Sequence, residues 1–172
     1  IEKMKERTMP LIGIMSEKHN ETEIIHKLNK KFKENDINSE MITINEKSIK
    51  NLKNIKLETV IIDKMLPVEF KEEINHLLRD TKYVLLNMDV NNNLENIKAL
   101  KAIVITYGFN SKATITASSV EEDNTLLCIQ RNIKTIKQKE IEQQEIAMKN
   151  NGSNKYVDMV IGTISLLYQL KT

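Results

Sequence analysis

The chain is poor in aromatic residues. Phe, Trp and Tyr make up 4% of its 172 residues, and Trp is absent. That removes the stacking platforms on which single-stranded nucleic acids are bound. A net charge of +2 leaves no basic field for a duplex either. One cysteine, Cys128, excludes an intrachain disulfide framework and a cysteine-rich metal site. It sits in an apolar run and reads as a small core residue. Glycine is scarce, and none lies between Met15 and Thr22, where a backbone cradle for phosphate would need it. The longest apolar segment, Tyr156–Leu170, contains Asp158 and is shorter than the ~20 residues of a membrane span. Ile1–Thr8 is polar and charged, without the apolar core of a secretory leader. A cytoplasmic protein with no nucleic-acid partner and no membrane span is therefore expected.

What is present is ordinary globular material, 40% hydrophobic and 29% charged, in a length suited to one domain. The clearest stretch is Tyr83–Gly108. Tyr83–Leu86 is a short apolar run of the kind a buried parallel strand needs. Asn87-Met88-Asp89 ends it with polar side chains, at the strand end where ligands collect in open α/β sheets. Asn91–Asn93 can cap a following helix with Leu94, Ile97 and Leu100 on one face. Ala102–Ile105 is a second buried strand, closed by Tyr107-Gly108. Such a β-α-β unit predicts a parallel sheet.

The rest fits around it. Pro10–Met15 suits a first buried strand, followed by a turn over Ser16–Asn20. A helix is expected from Glu21 to Asn35, with Ile24, Ile25, Leu28 and Phe32 on one face and its charges ordered to suit the dipole. Ser39–Ile44 and Thr59–Ile62 read as strands. Pro67 opens a helix to Arg79. After Gly108 the texture changes. Ala113–Val120, Asn124–Arg131 and Glu140–Met148 read as antiparallel strands in a row. A last helix runs over Asn154–Leu170. The expected fold is α/β: a mostly parallel sheet flanked by helices, a small antiparallel β section over 112–148, and a closing C-terminal helix. Residues 1–172 form a single domain, with 1–9 as a lead-in.

Chemistry is thinly marked. His19, His26 and His76 have no metal-ligand spacing with one another or with Cys128. His26 and His76 fall within helices, where a core-edge histidine is the plain reading, whereas His19 lies in the loop after the first strand. Asn87 and Asp89 are the best-placed polar pair, although a cap and a strand-end turn would use the same residues. No Ser-His-Asp, Cys-His or paired-carboxylate arrangement emerges from spacing. Lys134, Lys137 and Lys139 read as a solvated run.

The segments LLNMDVNN, VITYG and FNSKATITASSV together resemble the central domain of the Mur ligases. These are ATP-dependent amide ligases that extend the UDP-muramoyl peptide of peptidoglycan. The matching residues are Asn87, Asp89, Tyr107, Gly108, Asn110, Ala113, Ile115 and Ala117. The segment NGSNKYVDMVIGTISLL is similar to the family's closing helix start through Gly152, Asn154 and Tyr156, with Ser153 and Val157 departing from it. PLIGIMSEKHNET resembles the family's first strand and phosphate loop through Ile12-Gly13-Ile14. There the departures are decisive. The loop's second glycine falls on His19, its phosphate-binding lysine on Asn20 and the next threonine on Glu21. Asp63 stands nearest to the glutamate that helps hold magnesium. The insert bearing the catalytic histidine and the amino-acid-binding domain have no counterpart.

The resemblance implies a degenerate domain that has lost ATP hydrolysis and ligation, because that chemistry needs Lys and magnesium to neutralise charge. The expected function is a non-catalytic binding or regulatory module connected to peptidoglycan metabolism. It would carry no ATP, magnesium or other metal and no catalytic residue, and would act with a protein partner or as a homo-oligomer. Two alternatives stay open. One is an enzyme or nucleotide sensor with an altered site at the strand ends, built from Asn87, Asp89, His19 and Asn20. The other is a self-assembling structural protein, its uncovered apolar surface buried by self-association.

Overall fold

The computed structural model describes residues 9–91, 97, 101–121, 123–149 and 154–171. Ten strands are described: β1 Leu11–Met15, β2 Glu40–Thr43, β3 Thr59–Ile62, β4 Tyr83–Asn87, β5 Ile103–Tyr107, β6 Ile115–Glu121, β7 Asn124–Ile129, β8 Ile133–Lys134, β9 Glu140–Ile141 and β10 Gln144–Lys149. The described helices are α1 Lys18–Glu34, α2 Lys71–Leu78 and α3 Lys155–Leu167, with short 3-10 turns at Ile49–Asn51 and Val68–Phe70. One eight-stranded sheet runs β10-β7-β6-β5-β4-β3-β1-β2, and β8 pairs with β9 in a separate antiparallel ribbon. The fold is α/β with a mostly parallel sheet, a small antiparallel part and a C-terminal helix.

Strands β1, β3 and β4 are buried on both faces, which is why they read as unbroken apolar runs. Their alternate residues feed two cores. Ile12, Ile14, Ile61, Leu85, Ile105 and Tyr107 face a core closed by α1 and α3. Met15, Val60, Ile62, Val84 and Leu86 face a second core, closed by Ile74, Leu77 and Leu78 of α2. The helix expected over Leu94–Leu100 lies outside the described residues, apart from Ile97, which is buried in that second core. Gly152 and Ser153 also lie outside them.

Beyond shifts of a few residues at element ends, four differences from the sequence reading bear on the fold. α1 begins at Lys18 instead of Glu21, so most of the expected loop is already helix. The segment after Pro67 enters as a 3-10 turn and becomes α-helical at Lys71. The third antiparallel strand divides into β9 and β10, and β8 supplies a partner for β9. The antiparallel strands also extend the main sheet, with β6 joined to β5 at Tyr107 and Ile115.

α3 closes the molecule over the sheet. Asn154 caps it by accepting a hydrogen bond from Val157 N at 2.9 Å. At its far end the Tyr168 hydroxyl donates to Glu58 at 2.8 Å and lies 2.8 Å from the Thr59 hydroxyl. The Tyr168 ring stands edge-on to Phe32 at 5.3 Å. Phe32 is fully buried. Phe32→Ala is therefore expected to cost about 3–5 kcal/mol in urea denaturation. Tyr168→Phe keeps the ring and should cost about 1 kcal/mol. Equal losses would mean that the hydroxyl bridge, and not packing, holds α3 down.

Candidate functional site

In the parallel part of the sheet the strand order is β2-β1-β3-β4-β5, so the chain changes direction between β1 and β3. The carboxyl ends of those two strands are where an open α/β sheet forms its crevice. β1 ends at Met15 and is followed by Ser16; β3 ends at Ile62 and is followed by Asp63. Both are buried.

Asp63 gathers this edge. Its Oδ2 accepts from the Ser16 hydroxyl at 2.9 Å and from Asn20 Nδ2 at 3.1 Å. Its Oδ1 accepts from Asn87 Nδ2 at 3.3 Å and from the Tyr107 hydroxyl at 2.5 Å. A carboxylate offers about four acceptor directions, so protein donors fill this one. Asn20 is tied onward to α3, its Oδ1 accepting from Asn154 Nδ2 at 2.8 Å.

Asp89 forms a second node. Asn87 Oδ1 accepts from Asp89 N at 3.0 Å, which links the two nodes. The Asp89 carboxylate accepts from Phe109 N at 2.8 Å, Asn110 N at 3.1 Å and the Tyr156 hydroxyl at 2.8 Å. It can lie so close to the chain after β5 because residue 108 is glycine. Gly108 has φ +148, and a Cβ there would fall 2.6 Å from the Asp89 carboxylate. Phe109, half exposed, packs edge-on to Tyr156 at 5.3 Å. Asn91 braces the neighbouring loop. Its Oδ1 accepts from Leu66 N, and its Nδ2 donates to the Lys64 and Asn87 carbonyls.

Of the residues marked in the sequence, Asn20, Asn87 and Asp89 all belong to this network. His19 is exposed on the first turn of α1 and lies outside it. Ser16, Tyr107 and Tyr156 enter as site residues. The last two were marked only as parts of a family-like motif, and that motif was the signal available for them. Asp63 emerges as the centre.

The tyrosines record this environment. Burial, and then the Asp63 carboxylate, push the Tyr107 hydroxyl well above its ordinary range. Burial and the bond to Asp89 push Tyr156 up to about 12. Both hydroxyls are thus held as donors. Glu21, in the first turn of α1, is raised by burial, opposed by Lys64 and Lys18.

The acceptor directions of Asp63 are taken. The β1–α1 connection is only Ser16-Glu17, without glycine, and Glu17 and Glu21 set negative charge beside it. Among the described residues, no group of three or more His, Cys, Asp or Glu could hold a metal ion, and every buried side-chain nitrogen and oxygen has a hydrogen-bond partner. No helix among them is long and apolar enough to cross a membrane. Neither a protein-family model nor a curated protein matches the chain.

Two outcomes follow. Asp63→Asn keeps the shape but sets an NH2 against a donor, and should lower stability by about 1–3 kcal/mol at neutral pH in chemical denaturation. Tyr156 has a folded pKa of about 12, above the unfolded value of about 10. Its contribution is then complete below about pH 10 and lost as the pH rises towards 12. Tyr156→Phe should therefore lose less stability than the parent across that window, and parallel curves would contradict the assignment.

Proposed function

We propose that this chain is a non-catalytic binding or regulatory module on a Mur-ligase-like frame, connected to cell-envelope metabolism. The observation that carries the reading is the saturated carboxylate of Asp63. It stands nearest to the position at which the resembled ligases help hold magnesium, and it is occupied by Ser16, Asn20, Asn87 and Tyr107. A group engaged in this way organises a surface instead of neutralising a phosphoryl transition state. The two-residue, glycine-free β1–α1 connection supports the same reading, since it is too short to wrap a phosphate. The scaffold-like positions of the resemblance are spent on internal bonds: Asn87 and Tyr107 on Asp63, Asn154 on Asn20, and Asp89, packed against Gly108, on Tyr156.

A second reading, a small-molecule or nucleotide sensor at the strand ends, is favoured by one feature. The half-exposed Phe109 ring, beside Tyr156, offers a stacking surface next to the polar network.

A thermal-shift titration with ATP, with ADP and with a UDP-muramoyl peptide, each with and without magnesium, separates these readings. A ligand at a hundredfold its Kd adds about 2.7 kcal/mol, which is readily seen. The first reading predicts no magnesium-dependent shift with either nucleotide, and a shift with the UDP-peptide would assign the module its ligand. A nucleotide shift that survives removal of magnesium and is lost in Phe109→Ala supports the sensor. A magnesium-dependent shift with ATP overturns the non-catalytic reading.

A further inference from the structure

Away from the Asp63 network, and sharing no residue with it, a cavity of about 760 Å³ opens between α1, α3 and the β7–β10 edge of the sheet. That is within the ~300–1,000 Å³ range of small-molecule sites. Its lining is more apolar than polar. Ile146, Met148 and Leu166 are half-buried and give it apolar surface, while Leu127, Ile161 and Leu170 are almost wholly buried in its lining. α3 can lie this close to β7 and β10 because residue 162 is glycine. A Cβ there would fall 2.7 Å from Leu127 and 3.2 Å from the Met148 sulfur.

The rim has the opposite chemistry. α1 contributes Lys27, Lys30 and Lys31, and β10 contributes Lys149. Lys27 is engaged by Glu23 at 3.2 Å, one turn away. The acidic groups of the lining are Glu34 and Asp158. Glu34 is exposed on the last turn of α1, and Asp158 is buried and accepts from the Thr125 hydroxyl at 2.7 Å. His26 completes the charged or titratable lining. Positive charge therefore dominates the mouth of an apolar cavity. Lysine stems can lie along apolar walls while their ammonium groups reach an anion at the surface.

We infer that this cavity binds a single-chain anionic amphiphile, with the chain over Ile146, Met148 and Leu166 and the headgroup between Lys30, Lys31 and Lys149. The charge pattern separates it from a neutral or cationic lipid. Carboxylate and phosphate heads share the required chemistry.

Calorimetric titration with laurate, dodecyl phosphate, dodecylammonium and butyrate, each below its micelle concentration, tests the inference on the full chain. Laurate or dodecyl phosphate should bind at one site, the tighter of the two naming the head. Dodecylammonium should bind about tenfold more weakly or not at all, as expected when a few exposed ion pairs change sign. Butyrate, lacking the chain, should not bind. Lys30→Glu, Lys31→Glu and Lys149→Glu combined should reverse the preference between laurate and dodecylammonium. The corresponding triple Gln variant should abolish the preference while keeping the parent's circular dichroism and melting curve. Failure of both anionic chains to bind overturns the proposal and leaves the cavity to a protein segment. Equal binding of laurate and dodecylammonium overturns it as well, because the lysine rim would then select nothing.

Discussion

A carboxylate taken out of water must be solvated by protein donors, and at Asp63 that requirement joins four separate parts of the chain. Ser16 arrives from the end of β1, Asn20 from α1, Asn87 from β4 and Tyr107 from β5. Removing one donor would leave buried acceptor capacity unmet, which costs more than the bond itself contributes. The constraint therefore fixes how the strand ends sit relative to one another, and through Asn20 and Asn154 it also fixes the start of α3. Asp89 repeats the device one strand over, binding the chain after β5 to Tyr156. The carboxyl edge of this sheet, where α/β proteins commonly place a ligand, is here filled with its own side chains.

That arrangement separates frame from chemistry. Only Ser16-Glu17 separates β1 from α1, and the helix starts at once with Lys18. Glu17, Glu21 and Asp63 bring negative charge to this edge, partly offset by Lys18 and Lys64. Fold alone does not license an activity. The lysine-rimmed cavity beside α3 lies outside this network and depends on none of these arguments.

Much of the frame was legible in the sequence because burial on both faces leaves runs such as Thr59–Ile62 and Tyr83–Leu86 with no alternation to confuse. The start of α1 was not, because Ser16–Asn20 is polar and looks like a turn, although Lys18, His19 and Asn20 are helical. The ribbon of β8 and β9 has two residues a side, too short for any period to register. The continuity of the sheet through Tyr107 and Ile115 depends on a single pairing between distant segments. For the candidate site, Asn20, Asn87 and Asp89 could be picked out as polar groups beside strand ends. The hub could not, because the partners of Asp63 lie 47, 43, 24 and 44 residues away and no local pattern joins them. His19, chosen for its position in an expected loop, turned outward once that loop became helix.

The central claim is that Asp63 is fully engaged by its own protein and is not free to hold a cation. The side-chain amides of Asn20 and Asn87 donate to it directly and report on it. Their proton–nitrogen NMR signals, followed during a manganese titration with ATP present, test the claim at the atoms concerned. The account predicts that these two signals persist until amides beside exposed surface carboxylates have already broadened. Selective early loss of the Asn20 and Asn87 signals would place the ion at Asp63 and contradict it.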